Sequence, residues 1–124
     1  MKNQIQNLII KHCSTIAREA EAIRLCLDCF DQDVTSATDM LENAIQHAHK
    51  IKGSSGSLGF PDISAAAACL ERQFRIVHLS EEEMGLSERI QIQAYYAILE
   101  QLVSNATPEA STLYDYKLPA NAPR

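Results

Sequence analysis

The chain has 124 residues and a net charge of −5 at pH 7, so its length suits one domain and its charge argues against nucleic acid as a partner. It has no apolar run approaching the ~20 residues of a membrane helix, and Met1-Lys2-Asn3-Gln4 opens no leader-like apolar segment, so we expect no membrane partner and a cytoplasmic location. Tryptophan is absent, and Ala, Leu, Ile, Glu and Gln dominate, a composition that favours an all-helical chain.

The first predicted helix runs from about Asn3 to Phe30. Ile5, Leu8, Ile9, Ile16, Ala20, Ile23, Leu27 and Phe30 recur at helical spacing, with Lys11, Arg18 and Glu19 on other faces. Such a length suits the long leg of a helical bundle. His12 falls on the apolar stripe and reads as a satisfied histidine at the core edge. The chain has four cysteines, Cys13, Cys26, Cys29 and Cys69. Cys26 and Cys29 form a C-x-x-C pair, but no βαβ pattern surrounds it and no second pair completes a zinc site. Reduced thiols follow, with Cys26 at the core edge and Cys29 facing solvent.

Asp31-Gln32-Asp33 reads as a loop, and Thr35, Ser36 or Thr38 can cap the second helix. Asp39 and Glu42 place negative charge in its first turns, where the helix dipole favours it. This helix turns Met40, Leu41, Ala44, Ile45, Ala48 and Ile51 inward and runs to about Leu58, with Gly59 at a natural left-handed position. The stretch Ala48-His49-Lys50-Ile51-Lys52-Gly53-Ser54-Ser55-Gly56-Ser57-Leu58-Gly59 stands out. At about 100° per residue, His49, Lys52, Gly53 and Gly56 share one side of the helix. Each helical glycine costs about 0.5–1 kcal/mol relative to alanine, and the close approach of another molecule would account for two of them. Ser54 and Ser55 read as packing or local hydrogen-bonding residues, and His47 and Lys50 as solvated.

Phe60-Pro61-Asp62 forms the next turn. The third helix spans about Asp62 to Val77, with Ile63, Ala66, Ala67, Leu70, Phe74 and Val77 inward. Its run Ala65-Ala66-Ala67-Ala68 permits close helix packing. His78 sits near its end, where a cation is favoured. Folding back antiparallel, this helix brings Glu71 or, as second choice, Gln73 towards His49; the plain alternative for Glu71 is an ion pair with Arg75. Ser80 and Glu83 form a capping box for the fourth helix, with Gly85 able to delay its start and Ser87 as the other cap. Ile90, Ala94, Ile98, Leu102 and Val103 continue that helix to about Ala106, and Thr107-Pro108 ends it. We therefore expect an antiparallel up-and-down four-helix bundle over residues 1–106. Residues 107–124, with Tyr114, Tyr116, Pro119 and Pro123, read as a loose tail that docks at most through Leu113-Tyr114.

The combination Ala48-His49, Lys52-Gly53-Ser54-Ser55 and Leu58-Gly59 resembles the signature of histidine-containing phosphotransfer (HPt) domains, and helix order extends the resemblance over about residues 3–106. It implies that His49 is the phosphoacceptor, passing a phosphoryl group between aspartates of receiver domains in response regulators and hybrid histidine kinases. It also implies that Lys52 acts electrostatically on the phosphoryl oxygens, that Glu71 contacts the histidine, and that the receiver supplies the magnesium. Gly53 and Gly56 would leave room for the docking receiver, with an apolar rim from the first helix for which Ile10, Ser14 and Ala17 are candidates.

The chemistry is consistent with these roles. An imidazole that accepts a phosphoryl group needs one nitrogen free and exposed, while the other donates to an acceptor that fixes the tautomer. The run Gly53 to Gly59 is not a phosphate loop, because it lacks G-x-x-x-x-G-K-[ST] and no strand precedes it. We expect no nucleotide site, no cofactor, no metal and no enzyme activity beyond phosphoryl carriage, in a monomer. Two other readings stand beside this one: the phosphorylated domain of a larger histidine kinase, and a non-catalytic helical interaction module.

Overall fold

A computed structural model describes residues 2–30, 37–80 and 84–115. The order is α1 (Lys2–Phe30), α2 (Ala37–Ser57), α3 (Pro61–Leu79), α4 (Leu86–Ser104) and a single 3₁₀ turn (Pro108–Ala110). The helices form the expected up-and-down bundle. α2 packs between α1 and α3, α4 packs between α3 and α1, and α2 and α4 are diagonal, without a close backbone approach among the described residues. Antiparallel registers are marked by His12–Ser55 and Glu19–His47 between α1 and α2, and by His49–Glu71 and Glu42–His78 between α2 and α3.

The core follows the helical periodicity of the first three helices. Ile9, Ile16, Ile23, Ala44, Ala48, Ile51, Ala67, Leu70 and Phe74 have no exposed surface. Small residues at 44, 48 and 67 let α2 lie close to its neighbours, and Ser64 Oγ donates to the Lys52 carbonyl at 2.8 Å across the α2–α3 seam. His12 is buried and its Nε2 lies 3.1 Å from Ser55 Oγ, itself fully buried; burial holds the imidazole below its ordinary pKa, so it sits neutral in the core.

Several expectations need correction. Leu8 is 56 % exposed rather than in the core. In α4 the predicted Ile90, Ala94 and Ile98 point outward, and Ile92, Tyr96 and Leu99 join Val103 inside. This helix carries apolar residues on two faces, so periodicity alone does not select one. The Tyr96 hydroxyl decides the rotation by donating to the Ala20 carbonyl at 2.9 Å. Gly85 is the N-cap of α4, which has no side-chain cap, so Ser87 is not used. Glu83, the loop Asp31–Asp33, Thr35 and Ser36, the side chains of Phe30 and Thr38, and residues 116–124 lie outside what is described.

The C-terminal segment is more ordered than a loose tail. Ser111 is buried and its hydroxyl donates to the Leu58 carbonyl at 2.6 Å. Thr112 N–H donates to the Gly59 carbonyl at 2.9 Å, and Gln6 Nε2 donates to the Tyr114 carbonyl at 3.1 Å. Packing therefore extends over residues 108–114, beyond Leu113-Tyr114. The cause is the end of α2, whose last carbonyls have no partner within the helix and take them from this segment. Gly59 makes the arrangement possible. Its φ of 87° is the left-handed value of a Schellman turn, completed by Phe60 N–H donating to the Ser55 carbonyl at 2.8 Å.

A Cβ at residue 59 would fall 2.5 Å from Ser111 Oγ and 2.9 Å from Thr112 N. Gly59→Ala should therefore cost at least about 2 kcal/mol, through the left-handed backbone and displacement of the docked segment. Urea denaturation followed by circular dichroism measures this, and a loss below about 0.5 kcal/mol would show that the segment does not hold the end of α2.

Candidate functional site

His49 projects from the middle of α2 with 61 % of its side chain exposed, whereas Glu71, which reaches it from α3, is only 7 % exposed. Glu71 Oε2 lies 3.1 Å from His49 Nδ1. At neutral pH a paired carboxylate only accepts, so Nδ1 carries the proton and donates it to Glu71. The neutral ring then presents Nε2, with its lone pair, away from the bundle. Gln73 is buried but lies about 160° around α3 from Glu71, too far round to serve as the acceptor.

Glu71 serves more than His49. Arg75, one turn on, donates through Nη2 at 2.8 Å and Nε at 3.0 Å to the same Oε2. Lys52 Nζ stands 3.5 Å from Oε1. The ion pair with Arg75 and the contact with His49, weighed above as alternatives, therefore occur together. Burial alone pushes the Glu71 carboxyl up; hydrogen bonds from Arg75 and His49 and the charge of Lys52 outweigh it and hold the group below its ordinary range. A buried carboxylate thus stays ionised under an exposed imidazole, with Lys52 and Arg75 beside it.

The glycines differ. A Cβ on Gly53 would meet nothing within 4 Å, so no neighbour among the described residues explains it, and its surface beside His49 and Lys52 is bare backbone. A Cβ on Gly56 would come 3.2 Å from Ser64 Oγ. The α2–α3 seam is therefore tight at that glycine, against the Ser64 side chain.

Other expectations shift. His47 is not simply solvated: its Nδ1 is paired with Glu19 of α1 and its side chain is 28 % exposed. Lys50 is exposed, and Ser54 Oγ donates to the Lys50 carbonyl at 2.7 Å, a local bond as foreseen. His78 Nε2 lies 3.3 Å from Glu42 Oε1. Glu19 and His12 mark the flank of α1 that faces α2. Ile10, Ser14 and Ala17 lie 140–180° round the helix from Glu19 by the ~100° step, so they cannot rim His49. On the same wheel Leu8 and Thr15 lie within about 40° of Glu19, on the flank of α1 that faces α2. Sequence spacing along α1 does not reveal this; the His47–Glu19 pair does. The cysteines are all free thiols, and burial raises Cys13 and Cys26 away from thiolate chemistry. Among the described residues no helix is long and apolar enough to span a membrane.

The family model of the Hpt domain matches residues 5–106. That range holds all four helices from the first turn of α1 to the residue after the α4 cap, and all of His49, Lys52, Gly53, Gly56, Glu71 and Arg75. No curated protein and no solved structure matches the chain.

The contact between Glu71 and His49 carries a spectroscopic consequence. In ¹⁵N NMR at a pH where His49 is neutral, Nε2 should give the unprotonated-nitrogen shift and Nδ1 the protonated one. Glu71→Leu removes the acceptor and should return the ring to a mixture dominated by the other tautomer, as in free imidazole side chains. An unchanged tautomer in Glu71→Leu would show that Glu71 does not set the proton position.

Proposed function

The chain belongs to the Hpt domain family, and we propose that it carries a phosphoryl group on His49 Nε2 between aspartates of receiver domains. Members of this family transfer phosphoryl groups through histidine in phosphorelays and are carriers without nucleotide sites of their own. The observation that carries the assignment to His49 is its pairing of Nδ1 with a buried, ionised Glu71 while the rest of the ring stands in solvent.

The transfer balances simply. The Nε2 lone pair attacks the phosphorus of an aspartyl phosphate, the N–P bond forms and the acyl P–O bond breaks, and the aspartate leaves as a carboxylate with the electron pair. No proton has to move. Nδ1 keeps its hydrogen, the ring becomes cationic, and Glu71 compensates the charge at 3.1 Å. Onward transfer to a second aspartate is the reverse reaction. The driving force lies in the acyl phosphate, so the bundle needs to supply only a positioned nucleophile and the electrostatics around it. Lys52, 43 % exposed, can turn its ammonium from Glu71 to the phosphoryl oxygens, and Arg75 keeps Glu71 in place when it does. Gly53 leaves the backbone beside His49 open to an approaching active-site rim. Lys50, Lys52 and Arg75 make the surroundings of His49 basic although the chain is acidic overall, which suits an acidic receiver pocket.

The test is incubation of the full chain with a phosphorylated receiver domain. Wild type should acquire an acid-labile, base-stable label; His49→Gln should acquire none, and Lys52→Ala should label about tenfold more slowly, a loss of ~1.4 kcal/mol in the transition state. Label persisting in His49→Gln would overturn the assignment. Labelling only by ATP with a kinase core, and never by a receiver, would favour the domain of a larger histidine kinase over the relay carrier.

A further inference from the structure

Of the four histidines, three meet a carboxylate from a neighbouring helix, and two of these meet it through Nδ1. One is His49. The other is His47, whose Nδ1 is paired with Glu19 Oε2 of α1. His78 is turned the other way, with Nε2 against Glu42 Oε1 at 3.3 Å, and His12 Nε2 faces Ser55 inside the core. A carboxylate at neutral pH only accepts, so Glu19 holds the proton of a neutral His47 on Nδ1 and leaves the lone pair on Nε2. That nitrogen has no hydrogen-bond partner among the described residues. No buried side-chain nitrogen or oxygen there lacks a partner, so Nε2 of His47 reaches solvent.

The lysine repeats as well. His47-Ala48-His49-Lys50-Ile51-Lys52 interleaves two H-x-x-K pairs. Lys50 follows His47 by three residues as Lys52 follows His49, a spacing that brings the two Cβ atoms to about 5–6 Å on adjoining turns. Lys50 is exposed, and its ammonium can turn towards Nε2 of His47. The two histidines stand about 160° apart around α2, so the sets are separate: Glu19, His47 and Lys50 at the α1 seam, Glu71, His49 and Lys52 at the α3 seam. They differ in access. The His47 side chain is 28 % exposed against 61 % for His49. One turn on from His49 is the bare backbone of Gly53; one turn on from His47 is Ile51. A phosphoryl group held in a receiver pocket brings the pocket rim with it, and there is room for a rim at His49. A small molecule brings none.

We propose that His47 is a second phosphoacceptor, which takes its phosphoryl group from a small diffusible acyl phosphate and not from a receiver domain. The Nε2 lone pair attacks phosphorus, the N–P bond forms, the acyl P–O bond breaks, and the small carboxylate leaves with the electron pair. No proton has to move. Nδ1 keeps its hydrogen on Glu19, whose charge compensates the cationic ring, and Lys50 attends the phosphoryl oxygens. The proposal uses none of the residues assigned to His49, so it stands or falls apart from that assignment.

The test is incubation of the full chain with acetyl phosphate, read by ³¹P and ¹⁵N NMR. His49→Gln should still take one phosphoryl group, on Nε2 of His47, and adding His47→Gln should remove it. A phosphorylated receiver should label His49→Gln not at all. Glu19→Leu, placed on the His49→Gln background, should slow labelling by acetyl phosphate several-fold and divide the attachment between Nε2 and Nδ1. That change of atom reports the lost proton acceptor and not a loosened helix, and the helical circular dichroism should be unchanged. No label from acetyl phosphate on His49→Gln would overturn the proposal, even with His49 labelled in wild type. Label that survives His47→Gln on that background would lie on another side chain and overturn it as well. Label passed to His47 by a receiver would overturn the restriction to small donors.

Discussion

The site depends on one buried carboxylate. Glu71 is the point where α3 reaches across to α2, and it takes hydrogen bonds from Arg75 and His49 and the charge of Lys52. Arg75 or Lys52 alone would be an ordinary surface cation, and His49 adds an N–H donor. Together they keep a buried carboxylate ionised against the cost of desolvation, which is otherwise the largest influence on it. On the proposed reading the return is positional: Nδ1–H donates to Glu71, and Nε2 is left as the nucleophile. Everything else in the fold serves the distance between these two helices. Ala48 and Ala67 are fully buried and small, and Ser64 ties α3 to the Lys52 carbonyl.

The same helix is pinned at its end. The left-handed Gly59, the Schellman turn to Phe60 and the returning segment around Ser111 satisfy carbonyls that would otherwise face no partner. On the α1 side, neutral His12 meets Ser55 in the core, and Phe60 lies beside it with ring centres 5.7 Å apart. His49 is thus carried on a helix fixed at its C-terminal end and along both edges. The bare backbone at Gly53 falls between these fixed points, where the exposed face is most accessible.

The motif of α2, its αL glycine and the acceptor on α3 were legible in the sequence, because each rests on local spacing or on the antiparallel return of one helix beside another. What was not legible has a common physical cause. α4 is apolar on two faces, so its rotation is set by the Tyr96 hydroxyl reaching Ala20, a long-range bond with no local signal. The flank of α1 that faces α2 is marked by the pairing of Glu19 with His47, which spacing along either helix alone cannot reveal. The docking of residues 108–114 is driven by unsatisfied carbonyls at the end of α2, a need that composition, with its prolines and polar residues, concealed. Gly56 was read as space for a partner, and the structure supplies a neighbour for it in Ser64; Gly53 has none among the described residues.

The central claim is that Glu71 directs chemistry to one nitrogen of one histidine. The most direct measurement is the identity of the phosphorylated atom, by ³¹P and ¹⁵N NMR of the chain labelled from a phosphorylated receiver. The account predicts a single species with phosphorus bonded to Nε2 of His49 and the hydrogen retained on Nδ1. Phosphorus on Nδ1, or on His47, would contradict it.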